Sequence, residues 1–407
     1  MKMINGGVCA AQGFSAAGIH VGVKAHNLEK KDLAMILSAV PCSSAAVYTK
    51  NAVKASHILI DKEHLANGVA RCAVINSGNA NACAPNGEKN ALRVCAAAAK
   101  AIGCKEEDVV IAATGVIGQE MNVSVIEAGM PALFEALTAD EAGSDGAARA
   151  IMTTDTVKKE LALETTIGGK TVRMGGIAKG SGMIHPNMGT MLCFLTTDCA
   201  ISPAMIKEAL LETVVVSFNR ISVDGDTSTN DTCCVLANGL AGNAEITGKN
   251  GDYKDFVAAL KALCTELAIK MASDGEGAKH LITCTVKGAK SEESAETISK
   301  SVIGSSLTKA AIFGTDANWG RVLCAMGYSG EEFDPDGVDI AFESAAGRIS
   351  VCEKGRGLVF DEALAKKILT EHDVIIDVKM SEGAAECTCW GCDLTYDYVK
   401  INGDYRT

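Results

Sequence analysis

Residues 171–198 read TVRMGGIAKGSGMIHPNMGTMLCFLTTD. A strand-like segment leads into a loop dense in glycine, and a second apolar run of strand length begins at residue 190. Glycine lets backbone approach backbone or a ligand closely. The loop has neither the spacing of a phosphate-binding loop nor that of a dinucleotide-binding turn. The stretch therefore predicts two strands joined by a tight connection.

Gly189-Thr190 lies where this loop meets the second strand. Glycine accepts strained dihedral angles, and threonine becomes a strong nucleophile when its own free amine serves as the base. That chemistry requires the chain to be cut before Thr190. The residues alone allow this role, while a plain strand connection is the simpler interpretation.

Outward from this stretch, the apolar periodicity predicts helices and strands in mixed order. Ser202-Pro203 has the residues of a helix start. Helices are predicted at 88–102, 125–138, 252–273, 292–311 and 361–371, and strands at 109–118, 281–288, 374–380 and, in the tail CDLTYDYVKING, 392–403. A mixture without a repeat predicts an α/β or α+β protein. We place a domain division near residue 280, between 1–280 and 281–407.

The composition excludes several classes of function. A net charge of −12 disfavours nucleic acid and anionic membranes as partners. No uncharged apolar run approaches the roughly 18 residues of a membrane helix, and the N-terminus has no continuous apolar segment of a signal peptide. Seventeen cysteines spread along the chain predict a reduced, cytoplasmic protein.

Two segments resemble metal sites only weakly. Cys387, Cys389 and Cys392 lack a fourth ligand, and the first two would share one strand face, so packing thiols are the preferred interpretation. The run DGDTSTNDT at 224–232 begins like a calcium loop but has threonine and valine where glycine and glutamate are needed. A polar turn with internal hydrogen bonds is expected there, and no metal or cofactor is predicted.

Three other features carry weak signals when taken alone. Thr114 and Gly115 follow an apolar strand, where backbone N–H groups can face an anion. Glu276 and Lys279 lie past a helix end, where a solvated charged turn is the simpler interpretation. His185 could act as a base near Thr190, although a structural loop histidine is the preferred interpretation.

Eight motifs together resemble the glutamate/ornithine N-acetyltransferase family, in order and over almost the whole chain. They are NSGNANAC (76–83), ATGVIG (113–118), MTTDT (152–156), AKGSGMIHPNMGTML (178–192), FNRISVDGDTSTNDT (218–232), DGEGAKHLI (274–282), DANWGRV (316–322) and WGCDLTYDYVKINGDYRT (390–407).

The resemblance implies an acetyl transfer from N-acetylornithine to glutamate in arginine biosynthesis, with acetyl-CoA as a second donor in part of the family. It implies self-cleavage between Gly189 and Thr190, Thr190 as nucleophile, and Thr114 and Gly115 as the oxyanion hole. The implied substrate-binding residues are Thr153, Lys179, Thr190, Glu276, Asn402 and Thr407.

The resemblance also implies a fold and an assembly. The fold is a self-processing, layered αββα-type sandwich with a smaller C-terminal α/β domain whose tail completes the substrate site, and the assembly is a heterotetramer of two α and two β chains. The sequence departs from the family at Gly189, where alanine is usual, and a more flexible residue is expected to reduce the strain that assists cleavage. A self-cleaving threonine peptidase or amidase, and an amino-acid-binding module that is never cut, are the alternatives.

Overall fold

The computed structural model describes residues 1–24, 27–185 and 191–404. These residues form two compact units. The first is built from the described parts of 1–180, 191–219 and 227–268, and the second from 181–185, 220–226 and 269–404. The second unit therefore begins before residue 280 and takes in two short segments from earlier in the chain.

Strands and helices are mixed along the described chain. The strands are β1 (Lys2–Ile4), β2 (Phe14–Ile19), β3 (Leu33–Tyr48), β4 (Val69–Asn79), β5 (Val109–Val116), β6 (Lys159–Ile167), β7 (Lys170–Lys179), β8 (Leu192–Thr197), β9 (Ile221–Ser222), β10 (Thr232–Ala237), β11 (Leu281–Ala289), β12 (Asp339–Ser344), β13 (Gly347–Glu353), β14 (Arg356–Gly357), β15 (Asp373–Lys379) and β16 (Ala385–Cys392). The α-helices are α1 (Ser56–His64), α2 (Gly87–Ile102), α3 (Val123–Glu135), α4 (Glu141–Ala150), α5 (Pro203–Val216), α6 (Gly251–Ser273), α7 (Glu292–Gly304), α8 (Ser306–Phe313), α9 (Trp319–Gly327), α10 (Glu362–Thr370) and α11 (Tyr396–Gly403).

The first unit contains a sheet with the strand order β1-β6-β7-β8-β10-β3-β4-β5, and β2 pairs with β3. The pairs β8–β10 and β4–β5 are parallel, whereas the other pairs are antiparallel. Because β8 and β7 are neighbours, the two strands predicted on either side of the glycine-dense loop pair directly. Strand β5 is the last strand of this order.

Alternate residues of β3 face opposite sides of this sheet, as the pleat of a strand requires. Leu33 and Met35 pack in one apolar cluster with residues of α2 and α3. Ala34 and Ile36 pack in another cluster with residues of α4. Helices therefore cover both faces, and the predicted mixed α/β class with a layered core is confirmed.

The second unit contains a sheet with the order β14-β13-β12-β15-β11-β16-β9. Helix α7 packs on β11 and β16, and α10 packs on β12 and β13. Cys387 and Cys389 point from one face of β16 into the same apolar core. Burial raises the pKa of the Cys389 thiol well above its ordinary value, whereas a hydrogen bond with Cys389 lowers the pKa of the Cys387 thiol. Cys387 is 3% exposed and Cys389 is fully buried. These thiols therefore pack as apolar side chains, in agreement with the predicted shared strand face.

Most predicted elements are confirmed with shifted ends. Helices α2 and α6 match the predictions at 88–102 and 252–273. The hydroxyl of Ser202 accepts a hydrogen bond from the Met205 N–H, so the predicted start of α5 is confirmed. The helix predicted at 292–311 is instead two helices, α7 and α8. Ser305 lies between them and caps α8 by accepting from the Thr308 N–H.

The strand predicted for the tail at 392–403 is wrong, because helix α11 occupies most of it. On this helix Tyr396 and Val399 are 83% and 69% exposed. Strand β16 ends at Cys392, and the Asp393 carboxylate then accepts the backbone N–H groups of Lys279 and His280. The chain that follows turns into helix α11, which begins at Tyr396.

Candidate active site

Thr114 and Gly115 lie near the end of β5, beside an irregularity in its pairing with β4. Gly115 pairs with Gly78, and Asn79 then faces both Thr114 and Val116. Gly115 has a φ of +134°, and a Cβ there would lie 2.3 Å from the carbonyl carbon of Gly78. Only glycine fits this close approach. A bulge of this kind interrupts the regular ladder, so it can release backbone groups for a ligand.

Lys179, at the end of β7, joins two threonines that are far apart in sequence. Its ammonium donates to the Thr153 hydroxyl at 2.8 Å and to the Thr114 hydroxyl at 3.3 Å. Lys179 is only 8% exposed. Three of the residues singled out by the family resemblance are therefore in direct contact, around a cation with little access to water.

Asp155 holds the backbone on both sides of this contact. Its carboxylate accepts hydrogen bonds from the N–H of Thr153 at 3.0 Å and of Gly180 at 2.8 Å, and from the Lys159 ammonium at 2.7 Å. Burial raises the pKa of Asp155, but the charges of Lys159 and Lys179 outweigh it and hold that pKa well below its ordinary value. Asp155 is therefore ionised, as a buried anchor for Thr153 and the end of β7.

Lys24 is a second cation of this region. Its ammonium donates to the carbonyls of Met152 at 2.7 Å and Lys31 at 2.9 Å. Burial lowers the pKa of Lys24 to about 8, and the nearby charge of Lys179 adds to that decrease. The side chain also packs on Gly78, whose missing Cβ leaves it room.

Asn230 connects the ends of β4 and β5. Its side-chain amide donates to the carbonyl of Ala80 at 2.6 Å and to that of Ala113 at 2.7 Å. Asn230 is 5% exposed. The sequence predicted a polar turn here, and its internal hydrogen bonds are present, for example from the Asn230 N–H to the Ser228 hydroxyl.

The sequence predicted no role for Asp155, Lys159 or Lys24, and for Asn230 it predicted only a place in the polar turn at 224–232. Asp155 and Asn230 lie inside motifs that carry the family resemblance, which was the available signal. Lys159 and Lys24 lie outside those motifs, and their importance follows from burial and hydrogen bonding. Such contacts depend on tertiary structure and leave no local pattern.

In the second unit, Glu276 and Asn402 are in contact. The Asn402 amide donates to the Glu276 carboxylate at 2.7 Å, and to the Tyr398 carbonyl at 3.0 Å within α11. Glu276 is 6% exposed, so the solvated turn considered from the sequence is wrong for this residue. Close packing explains the neighbouring glycine, since a Cβ at Gly182 would lie 2.4 Å from the Glu276 carboxyl group.

His185 also belongs to the second unit. Its Nδ1 lies 3.0 Å from the Ser222 hydroxyl. Burial lowers the pKa of His185, with a further decrease from the charge of Lys300. The ring is therefore neutral near pH 7, which is compatible with both interpretations weighed from the sequence.

Gly189, Thr190 and Thr407 lie outside the described residues. Across the ranges that are described, no three His, Cys, Asp or Glu side chains form a group able to hold a metal ion. Within the same ranges, no helix is long and apolar enough to span a bilayer.

Comparison with known proteins adds independent information. The model of the ArgJ family matches residues 15–407. The arginine biosynthesis bifunctional protein ArgJ of Symbiobacterium thermophilum is 49% identical over 408 residues, with 100% of both chains covered. ArgJ 1 of Clostridium acetobutylicum is 47% identical over 97% of this chain and 96% of its own.

Among solved structures, the ornithine acetyltransferase of Mycobacterium tuberculosis complexed with ornithine is 35% identical, and the match covers 46% of this chain and 98% of that one at a TM-score of 0.43. The family assignment depends on the sequence matches, which extend over nearly the whole chain. On this evidence the chain belongs to the ArgJ family.

Proposed function

We propose that this protein transfers the acetyl group of N2-acetyl-L-ornithine to L-glutamate, in arginine biosynthesis, through an acetyl ester on Thr190. Family membership supports the reaction class, because the relatives are named as arginine biosynthesis proteins. The related ornithine acetyltransferase described above was solved with ornithine. The motifs quoted from the sequence support the assignment of individual residues.

The observation that carries the proposal is the contact of Lys179 with Thr114 and Thr153. A buried ammonium beside two hydroxyls is suited to bind a carboxylate, which both amino-acid substrates carry. Thr114 lies next to Gly115 at the bulge of β5, where donors for a developing oxyanion would be held in place before the reaction. We therefore assign Lys179 and Thr153 to the substrate, and Thr114 and Gly115 to the oxyanion.

Glu276 supports the same assignment from its chemistry. A carboxylate that is 6% exposed and bonded to the Asn402 amide is suited to a cationic group. Ornithine carries an ammonium on its side chain, and each substrate carries an amine when it is not acetylated. We propose that Glu276 and Asn402, with Thr407, bind substrate, and that the C-terminal tail is therefore needed for transfer.

The proposed reaction has two halves. After cleavage of the Gly189–Thr190 bond, the Thr190 hydroxyl attacks the acetyl carbonyl and the free α-amine of Thr190 takes its proton. The amide C–N bond breaks, the proton passes to the departing amine, and ornithine leaves while the acetyl ester remains. The amine of glutamate then attacks the ester and loses a proton, and the α-amine of Thr190 passes a proton to the Thr190 oxygen as the C–O bond breaks. N-acetylglutamate leaves and Thr190 is restored.

The test is to mix the purified protein with N-acetylornithine alone. We expect the fragment that begins at Thr190 to gain one acetyl mass, and double-reciprocal plots at several glutamate concentrations to be parallel. Intersecting plots with no gain in mass would contradict the proposal. Release of acetate faster than formation of N-acetylglutamate would favour the peptidase or amidase alternative.

The same purified protein serves to test the choice of acetyl donor and the assembly. An assay with acetyl-CoA in place of N-acetylornithine decides whether a second donor is used. For the assembly we propose two α and two β chains after cleavage, and the native mass compared with the masses of the two fragments checks this. We propose a cytoplasmic location.

A further inference from the structure

We propose that Asn230 is a positioning residue for Thr114 and Gly115, and that it acts by holding the ends of β4 and β5 together. This inference rests on the proposed function, because it takes Thr114 and Gly115 as the oxyanion hole. In this proposal Asn230 acts through these two residues and not by binding the substrate.

Asn230 binds two carbonyl groups, one on each strand or directly after it. The Ala113 carbonyl belongs to the same planar peptide unit as the N–H of Thr114, so fixing the one fixes the orientation of the other. The Ala80 carbonyl follows directly after the end of β4. One side-chain amide, with both of its hydrogens used, therefore joins the two strand ends at distances of 2.6 and 2.7 Å.

The pairing between β4 and β5 is interrupted close to these carbonyls. The register of β4 and β5 is regular up to Gly78 and Gly115 and then becomes irregular. Beyond that point the described backbone bonds include one from the Ala80 N–H to the Val116 carbonyl. A bulge disrupts the hydrogen bonding between two strands locally. The Asn230 side chain, which belongs to neither strand, therefore fixes a backbone conformation that strand pairing alone specifies weakly.

Hydrogen bonds fix the segment 227–230 that carries Asn230. The Thr49 hydroxyl donates to the Ser228 carbonyl at 2.8 Å, and the Asn51 amide to the Thr227 carbonyl at 2.9 Å. The Ala55 N–H donates to the Thr229 carbonyl at 2.9 Å. The amide oxygen of Asn230 accepts the Thr229 hydroxyl at 2.5 Å, which orients the amide so that its nitrogen faces the two carbonyls.

The chemistry explains why asparagine suits this position. Two carbonyl acceptors need two donors from one short side chain, and an amide NH₂ provides both without a charge. Aspartate would direct acceptors at acceptors, and a lysine ammonium would place a charge beside the proposed oxyanion hole. The site therefore requires a neutral double donor.

The test is a double-mutant cycle that combines Asn230→Ala with Thr114→Ala. The rate of acetyl transfer from N-acetylornithine to glutamate is measured for each variant. Asn230→Ala should reduce kcat at least about tenfold and leave KM within about threefold, because the binding residues stay in place. Thr114→Ala should reduce kcat by about a hundred- to a thousand-fold. If Asn230 acts through Thr114 and Gly115, adding Asn230→Ala to Thr114→Ala should slow the enzyme by clearly less than Asn230→Ala slows the wild type, because only the Gly115 donor is left to displace.

Asn243 is the matched control. It is also buried, at 7% exposure, and its amide donates to the Ala200 and Ala244 carbonyls at 3.0 and 2.8 Å. Asn243→Ala removes the same kind of bonds elsewhere in the first unit, so it should lower the melting temperature without the selective loss of kcat. If Asn230→Ala does not fold, Asn230→Ser keeps one donor and enters the same cycle.

The outcomes separate the two proposals. An inactive wild type would overturn the proposed function and this inference together. An active wild type in which Asn230→Ala and Thr114→Ala multiply independently would overturn only the inference. Equal losses of kcat in Asn230→Ala and Asn243→Ala would overturn it as well, because they would indicate a general effect on stability.

Discussion

The ammonium of Lys159 donates to the carboxylate of Asp155 at 2.7 Å, and neither side chain has any exposed surface. The same carboxylate accepts the backbone N–H groups of Thr153 and Gly180. The pair therefore connects the start of β6 with the residue after β7 and with the loop that carries Thr153. A buried ion pair of this kind is strongly destabilising when only one partner is removed.

Asp155→Asn should lower the free energy of unfolding by about 3–5 kcal/mol, since a buried ammonium loses its counter-ion. The KM for N-acetylornithine should rise as well, because Thr153 and the end of β7 lose their common anchor. Thermal and urea denaturation with steady-state kinetics measure both effects. Asp145→Asn, which weakens partly exposed pairs with Arg149 and Lys158, is the control and should cost about 1 kcal/mol or less.

Gly115→Ala should abolish transfer and destabilise the first unit, because its Cβ would meet the backbone of Gly78 at 2.3 Å. Gly118→Ala is the control. Gly118 also has a positive φ, of +78°, but a Cβ there would have nothing within 4 Å. Gly118→Ala should lower the free energy of unfolding by about 1–2 kcal/mol, the cost of a non-glycine residue in the left-handed conformation. Equal effects of the two changes would contradict a special role of the bulge.

Self-cleavage should divide the chain between Gly189 and Thr190. A denaturing gel should show two fragments, and N-terminal sequencing of the second should begin Thr-Met-Leu. Thr190→Ala should stay intact because no hydroxyl is left to attack, whereas Thr190→Ser should still be cut. A wild type that is active and uncut would refute cleavage as the source of the nucleophile.

Truncation after Ile401 should reduce kcat/KM for transfer at least about tenfold while cleavage and the melting temperature change little. The truncation removes Asn402, which donates to the buried Glu276 carboxylate, and also Thr407. Val399→Ala is the control on the same helix, because Val399 is 69% exposed. Full activity of the truncated protein would show that the tail is dispensable, as chain termini often are.

Stability should fall between pH 6.5 and about 4, partly through His57. Burial lowers the pKa of His57 from 6.5 to about 4, and its Nε2 lies 3.4 Å from the Thr232 hydroxyl. The unfolded chain binds the proton first, so stability is full above pH 6.5 and decreases as the pH falls toward 4. This shift in the pKa of His57 corresponds to a loss of about 3 kcal/mol in the free energy of unfolding.

The measurement is urea denaturation of wild type and His57→Gln at several pH values. The difference between the two proteins should change with pH in that window, with the wild type losing more stability on acidification. His372→Gln, at an exposed histidine, is the control and should follow the wild type. A His57 variant with the same pH slope as the wild type would contradict the assignment.

The sequence by itself determined the mixed α/β class, the long helices and the strands around the glycine-dense loop. These elements are predictable because their signals are local: helix α6 repeats its apolar residues at the helical period, and α5 carries its own cap at Ser202. The eight motifs also determined the family. The tail shows the limit of such patterns, since the segment 392–403 is predicted as a strand but mostly forms helix α11, on which Tyr396 and Val399 are exposed.

Only the tertiary structure decided which side chains meet. Lys179, Thr114 and Thr153 come from three separate elements, and Asn230 reaches Ala113 across more than a hundred residues of chain. Glu276 looked like a solvated charge in the sequence and is buried against Asn402. The reason is physical: burial and hydrogen bonding depend on atoms that distant segments bring together, and the local periodicity of a chain carries no information about those partners.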